Sequence, residues 1–208
     1  MKLMIFIISS LIVGSTACFA QDDSLVQKTM DSSQLSVSVA SLGLVYRPAR
    51  RFKDLPDLGP LVTEKKEVTC YPSGCMHRAY DKRDDIYILF SFLAITRESG
   101  DKIREVMPDY DENKNYLGND ACLAQREAGW MSLLTAKEVK KMNADSAICF
   151  RVPAADFEPY AGKYEGRIVV VLHKKDRGDI TLEYFYHAAH LRRVQRQIKK
   201  MGDMIRYR

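Results

Sequence analysis

The chain has 208 residues and a formal net charge of +5. This length suits one domain with a core of substantial size. So mild an excess of positive charge does not indicate nucleic-acid binding, and we exclude that class of function first.

Residues 1–20 predict a secretory signal peptide. Lys2 gives a short positive start, residues 3–13 form an apolar run, and small residues lead up to Ala20. The run is too short to span a bilayer comfortably. Cleavage after Ala20 would release the protein into the periplasm. Residues 15–18 also resemble a lipobox, which would make Cys18 the lipidated first residue of an outer-membrane lipoprotein. Because Ser15 stands where a lipobox has leucine, we favour export without an anchor, with membrane contact only through a lipidated Cys18.

Residues 21–33 are polar and predict a flexible lead-in to a single domain over residues 34–208. Within that domain, Gln34–Tyr46 alternates apolar and polar residues, which predicts a strand. Arg47–Pro60 contains three prolines and predicts a loop, and Val62–Thr69 predicts a second strand. The most apolar run, Ile86–Ile95, predicts a buried central strand.

The middle of the domain predicts short helices. Ser99–Met107 predicts a helix that ends before Pro108, and a polar loop follows. Ala121–Leu134 predicts a helical segment. Thr135 and Glu138 have the spacing of a capping box, which predicts a helix through Met142. Ser146–Val152 returns to strand spacing.

The C-terminal part has the clearest pattern. Arg167–His173 and Ile180–Tyr186 predict a β-hairpin, with Gly178 supplying the turn. Apolar residues at helical spacing over Ala188–Ile205 predict an amphipathic helix. The predicted fold is therefore α+β, an antiparallel sheet packed by helices, with a C-terminal hairpin followed by an amphipathic helix.

Four cysteines follow the predicted signal peptide: Cys70, Cys75, Cys122 and Cys149. An even number in an exported chain predicts two disulfides, with three possible connectivities. We favour local pairing, Cys70–Cys75 and Cys122–Cys149. Pro72 and Gly74 suit a turn that the first disulfide would clamp.

Histidines provide the alternative, a metal site. His77 follows Cys70 and Cys75 at a spacing that zinc tolerates, and His187 and His190 lie three residues apart at the start of the last helix. No glutamate stands between the latter two as in the metalloprotease motif. We therefore predict no catalytic residue, metal or cofactor, and keep His187 and His190 as the alternative metal pair.

Partner-binding candidates come from two features of the sequence. We expect the segments around Cys70–Cys75 and Asp109–Trp130 to form a contact edge, because exposed aromatic residues are frequent in binding hot spots. The candidates there are Tyr71, Tyr110, Asp111, Tyr116 and Trp130. The last helix is strongly basic, and we select Arg192, Arg196 and Lys199 as its contact residues for an acidic protein or anionic lipid headgroups.

Several segments together resemble a known class of protein. They are MKLMIFIISSLIVGSTACFA, NADSAICFRVPA and GRIVVVLHKKDRGDITLEYFY, followed by the helix that ends in MGDMIRYR. In these the chain resembles periplasmic immunity proteins that protect bacteria from antibacterial type VI secretion effectors. The resemblance implies a protein that binds a cognate toxic enzyme, such as a lipase or peptidoglycan hydrolase, and blocks its active site.

We therefore expect a non-enzymatic periplasmic inhibitor whose partner is a toxic effector enzyme. The alternatives are a metal-dependent periplasmic hydrolase that uses the histidine cluster, and a structural envelope protein or lipoprotein. The sequence leaves the oligomeric state open.

Overall fold

A six-stranded antiparallel sheet is the largest element of the computed structural model, which describes residues 35–55, 75–94, 97–109, 111, 131–152 and 163–208. These residues belong to one compact unit, Ser32–Arg208, and a second unit, Met1–Asp31, lies outside the described residues. In chain order the strands are β1 (Leu44–Tyr46), β2 (Lys53–Leu55), β3 (Cys75–Asp81), β4 (Ile86–Ala94), β5 (Ser146–Val152), β6 (Gly166–Lys174), β7 (Gly178–Tyr186) and β8 (Ile205–Tyr207). The main sheet has the spatial order β2-β3-β4-β7-β6-β5, and β1 pairs with β8 in a separate antiparallel ribbon.

Short helices accompany the sheets. Residues 35–41 are helical, and the later helices are α1 (Arg97–Val106), α2 (Ala136–Lys141) and α3 (Leu191–Lys199). One 3₁₀ turn, Ala188–His190, leads into α3, and another, Met201–Asp203, follows it. The α+β fold with an antiparallel sheet packed by helices is confirmed.

The larger core lies on one face of the main sheet. Phe90, Leu182, Val170 and Cys149 stand side by side on four neighbouring strands and are buried. Val194 and Ile198 of α3 belong to the same buried cluster. Period-two alternation along each strand places these side chains on one face, and α3 covers them with its apolar stripe.

The opposite face carries a buried ion pair on β6 and β7. The Arg167 Nε donates to Glu183 Oε2 at 2.6 Å, and both side chains are almost fully buried. The Arg167 guanidinium lies 5.6 Å from the centre of the Phe185 ring. Removing one partner of such a pair leaves a buried charge without compensation, so the two residues depend on each other.

Several local predictions are confirmed. The hairpin of β6 and β7 turns through Asp176, whose φ is 56°, and Gly178, whose φ is 130°. In the capping box the Thr135 N–H donates to Glu138 Oε2 at 2.6 Å, and the Glu138 N–H donates to Thr135 Oγ1 at 3.3 Å. The central strand, the strand over Ser146–Val152 and the helix before Pro108 also form.

The prediction of one strand over Gln34–Tyr46 is wrong for most of its length. Residues 35–41 form a helix, and only Leu44–Tyr46 is a strand. Leu35, Val37 and Val39 alternate as in a strand, whereas Leu35, Val39 and Leu42 have the spacing of one helix face, so the apolar pattern was ambiguous. Gly43, with φ of 61°, ends the helix in the left-handed conformation that favours glycine.

The predicted helix over Ala188–Ile205 is also too long. Helix α3 ends at Lys199, and Ile205 lies in β8, where it pairs with Tyr46. Tyr207 fixes this short strand, since its hydroxyl donates to the carbonyl of Gly178 at 2.9 Å and its N–H to that of Met142 at 2.9 Å. Strand pairing of this kind depends on residues far away in the sequence, so it cannot be predicted from the helical spacing of the local residues.

Other predictions are corrected in part. The loop expected over Arg47–Pro60 contains the three-residue strand β2, and residues 131–134 of the helical segment expected over Ala121–Leu134 are not helical. The strand expected over Val62–Thr69, the start of that helical segment and most of the polar loop lie outside the described residues.

Candidate functional site

The turn between β3 and β4 anchors the last helix through Asp84. This carboxylate is buried. It accepts a hydrogen bond of 2.6 Å from the Arg51 guanidinium and forms an ion pair with Arg193 of α3. Two cations therefore meet one buried anion, which offsets the cost of burying it. Next to it, the equally buried Asp81 accepts from the Arg83 N–H at 3.0 Å.

Asp85 closes the same turn with a second set of contacts. Its backbone is left-handed, with φ of 46°, a conformation that aspartate tolerates better than most residues. Its Oδ1 accepts from the hydroxyls of Tyr80 and Tyr164, each at 3.0 Å, and its Oδ2 lies 3.0 Å from His187 Nε2. One carboxylate thus joins β3, the segment before β6 and the end of β7.

The hydrogen bonds set the charge of Asp85. Burial alone would raise the pKa of this carboxyl, but the bonds from His187, Tyr164 and Tyr80 outweigh it and hold the pKa below 3.8. Burial, followed by the bond to Asp85, raises the pKa of Tyr80 to about 12. Asp85 is therefore the anion and the tyrosines are the neutral donors.

His187 lies between two carboxylates. Its Nε2 faces Asp85, and its Nδ1 lies 3.1 Å from Glu165 Oε2. The bond to Asp85 raises the pKa of His187, burial opposes the rise, and Glu165 adds to it. Because both ring nitrogens face acceptors, protonation to the imidazolium lets the ring donate at both, and the raised pKa favours that form.

Glu165 and Lys163 complete this cluster. Glu165 Oε2 also accepts from the Ala188 N–H at 2.9 Å, which is the main reason that the pKa of Glu165 is lowered. The Lys163 ammonium lies 3.5 Å from Asp85 Oδ1 and 4.9 Å from the centre of the Tyr164 ring. We name Asp85, His187, Glu165, Tyr80 and Tyr164 the Asp85 cluster, and it fixes the point where the chain enters α3.

The Asp85 cluster does not support the alternative metal site. An imidazolium has no lone pair for a metal, and His187 uses both nitrogens on carboxylates. His190 is half-buried in the 3₁₀ turn, and its side chain does not cap α3. Among the described residues, no three His, Cys, Asp or Glu side chains are grouped so that they could hold a metal ion.

The other described histidines also pair with carboxylates. His77 is buried, and its Nε2 lies 3.0 Å from Asp54 Oδ1, which also accepts from the Tyr46 hydroxyl at 2.6 Å. His173 Nδ1 lies 2.6 Å from Asp179 Oδ1 where the hairpin strands begin to turn. These contacts join neighbouring strands and sheets. A structural role therefore explains the positions of both histidines.

Helix α3 presents a row of cations on its exposed side. Val194 and Ile198 face the core, while the cations at helical spacing on the outer side are exposed: Arg192, Arg196, Lys199 and Lys200. We name these four the basic stripe. It is about 12 Å long at 1.5 Å rise per residue. All three cations that the sequence predicted as contact residues belong to it.

Only the N-terminal end of the stripe works against the stability of the helix, because Arg196 and Lys199 lie in the last turn, where cations complement the dipole, and Arg196 Nε donates to the Arg192 carbonyl at 3.4 Å. The first turn of α3 contains no acid, and its N-cap residue makes no side-chain hydrogen bond. Arg192 in that turn opposes the helix dipole, and its spacing of four from Arg196 puts like charges together. Arg193 is offset by Asp84, but within the described residues no carboxylate pairs with Arg192, Arg196 or Lys200.

Lys199 differs from the other three cations. It lies near Glu138 of α2, whose pKa is lowered first by the Thr135 N–H and less by the Lys199 charge. The uncompensated part of the basic stripe is therefore Arg192, Arg196 and Lys200.

Two further cations join this surface from the β3–β4 turn. Lys82 and Arg83 are exposed, and they directly precede Asp84, the residue that holds Arg193. The fold thus brings the β3–β4 turn close to the start of α3, although the two segments are more than one hundred residues apart in the sequence. The sequence analysis missed Lys82 and Arg83 because nothing local links them to the helix.

The cysteine predictions have two different outcomes. Cys149 is a free, buried thiol on the core side of β5, which corrects the predicted Cys122–Cys149 disulfide. Burial raises the pKa of this thiol to about 12. Cys75 begins β3 opposite Phe92, but its side chain, like Cys70 and Cys122, lies outside the described part of the chain. The Cys70–Cys75 disulfide stays a prediction.

The aromatic contact candidates are mostly outside the described residues, namely Tyr71, Tyr110, Tyr116 and Trp130. Asp111 is described and half-buried. Their part in partner binding stays a prediction.

Comparison with protein-family models, curated proteins and solved structures gave no match for this chain. Of the helices that the structure describes, none has both the length and the apolar character needed to span a membrane.

Proposed function

We propose that the protein is an exported inhibitor that binds a toxic effector enzyme in the periplasm and covers its active site. The observation that carries the proposal is the basic stripe, a row of exposed cations that the fold keeps in place; among the described residues, Arg192, Arg196 and Lys200 have no carboxylate partner. Exposed cations that no carboxylate of the described residues offsets are well explained by a partner outside the chain. The export signal and the resemblance to periplasmic immunity proteins support the same function.

Preorganisation is what makes the stripe suitable for binding. Asp84 holds the first turn of α3, the Asp85 cluster holds the entry to the helix, and β8 holds its exit. A partner therefore does not have to order the helix when it binds, which leaves more of the interaction free energy for affinity. Opposite charges on the two proteins would also accelerate their encounter.

Affinity capture from the native cell envelope tests the proposal. The tag belongs within the predicted lead-in, residues 21–33, after the predicted cleavage site. The C-terminus is unsuitable because the Arg208 N–H donates to the Gly43 carbonyl at 2.8 Å and the Arg208 carbonyl accepts from Asn143 at 2.9 Å. Mass spectrometry then measures the proteins and metals that co-elute.

We expect one stoichiometric toxic enzyme, whose activity falls when the inhibitor is added back, and no stoichiometric metal. Stoichiometric zinc without a protein partner would contradict the proposal and favour the metal-dependent hydrolase. Neither a partner nor a metal would favour a structural envelope role.

A further inference from the structure

Six exposed cations lie on two distant segments that the ion pair between Asp84 and Arg193 joins, and we name them the composite basic surface. It consists of the basic stripe of α3 together with Lys82 and Arg83 of the β3–β4 turn, and all six side chains are exposed. We propose that this composite basic surface is the docking site for an acidic protein surface, with carboxylates placed to meet both the helix and the turn. The inference rests on the proposed function and adds the chemistry of the partner.

Charge complementarity carries the inference. Buried Asp84 is shared by Arg51 and Arg193, so its negative charge is already offset by two cations of the chain. None of the cations Lys82, Arg83, Arg192, Arg196 and Lys200 forms an ion pair within the described residues. The surface therefore has a local excess of positive charge, and carboxylates on a partner are the groups that would offset it.

An acidic protein fits better than an anionic membrane. A helix that binds a bilayer inserts its apolar side between the lipids. Here the apolar side of α3 is buried in the core through Val194 and Ile198, so only the charges face outward. The cations also lie on both a helix and a turn, in fixed positions. A fixed pattern of charges can distinguish one protein surface from another, whereas binding to mobile lipid headgroups needs no fixed pattern.

Three double variants of the exported full chain test the inference, each removing two positive charges. Arg192→Gln with Arg196→Gln removes part of the stripe, and Lys82→Gln with Arg83→Gln removes the turn cations. Lys175→Gln with Arg177→Gln is the matched control, because these exposed cations lie in the β6–β7 turn. The strand pairing places that turn at the opposite end of the sheet. Thermal unfolding checks that all three variants fold.

The probes are poly-L-glutamate, phosphatidylglycerol vesicles, uncharged phosphatidylcholine vesicles and the enzyme recovered by affinity capture. We expect the stripe and turn variants each to lower the association rate constant with poly-L-glutamate and with the enzyme by about tenfold, and the control by less than about twofold. The difference should shrink at high salt, where exposed charges are screened.

Equal losses in all three variants, or none in any of them, would overturn the inference. So would binding to phosphatidylglycerol vesicles that depends on the same cations without binding to poly-L-glutamate, which would assign the surface to lipid. If affinity capture recovers an enzyme that the stripe and turn variants bind normally, the proposed function stands and this inference fails. If no enzyme is recovered, the proposed function fails and poly-L-glutamate still decides the inference.

Discussion

At the scale of single residues, the Asp85 carboxylate has the largest set of partners in the candidate site. It accepts hydrogen bonds from Tyr80 and Tyr164 and faces His187, so three segments meet at one side chain. Hydrogen bonds to a charged acceptor are stronger than those between neutral groups. The negative charge of Asp85, rather than its shape, should therefore provide most of its contribution to stability.

Asp85→Asn tests that role, because asparagine keeps the shape, tolerates the left-handed backbone and lacks the charge. We expect the free energy of unfolding to fall by about 2 kcal/mol and the pKa of His187 to fall, as measured by urea unfolding and by NMR titration. Asp176→Asn is the matched control, since Asp176 has the same left-handed conformation in an exposed turn. Equal losses in the two variants would mean that backbone conformation, not charge, is what matters at Asp85.

The buried thiol of Cys149 gives a second prediction at this scale. Because burial raises its pKa to about 12, the reactive thiolate is scarce at neutral pH, and iodoacetamide should not label Cys149 in the folded protein. Without reductant, denaturation should expose it to labelling, which peptide mass spectrometry detects. If denaturant alone leaves Cys149 unlabelled while reductant permits labelling, the originally predicted disulfide exists.

At the scale of elements, the junction between β7 and α3 should make stability depend on pH. The pKa of His187 is raised above 6.5 in the folded protein, while Asp85 and Glu165, which face it, are anions with lowered pKa values. A raised folded pKa contributes stability that is fully present below about pH 6.5, the unfolded value, and is lost as pH rises through the folded value.

We therefore expect His187→Gln to remove part of the fall in unfolding free energy that the protein shows above about pH 6.5. Denaturant unfolding at a series of pH values measures this dependence. His190→Gln, three residues further on in the same junction, is the control and should keep the full dependence. A profile of His187→Gln that parallels the unmodified protein would rule out the imidazolium between the two carboxylates.

The capping box of α2 gives a second prediction at the element scale. Thr135→Ala removes the side-chain acceptor for the Glu138 N–H, and we expect it to lower the free energy of unfolding by about 1 kcal/mol. Thr135→Ser keeps the hydroxyl and should cost much less. Urea unfolding of both variants provides the comparison, and an equal loss in serine and alanine would show that the threonine methyl group, not the cap, is responsible.

Elements with strong local signals could be predicted from the sequence. The capping box and the glycine of the last hairpin act within a few residues, and both formed where expected. The strand predicted over residues 35–41 failed because Leu35 and Val39 fit two patterns, a strand with Val37 and a helix face with Leu42. The last helix was predicted too long because Ile205 continues its apolar pattern while pairing with Tyr46 as a strand. In both regions distant packing decided between two conformations that the local pattern permits.

At the scale of the whole molecule, the candidate site depends on contacts that no local pattern encodes. The cations of α3 were visible in the sequence as a basic run. Asp84 and Asp85 were not, because their partners Arg193 and His187 are more than one hundred residues away. The fold turns a basic run into a fixed surface and adds Lys82 and Arg83 to it.

The central claim is that this surface blocks an enzyme, and titrating the activity of the captured enzyme tests it most directly. Added in increasing amounts, the unmodified protein should abolish the activity at one inhibitor per enzyme. The variant with Arg192→Gln and Arg196→Gln should need a higher concentration because it associates more slowly. Full enzyme activity at a saturating concentration of the unmodified protein would contradict the account.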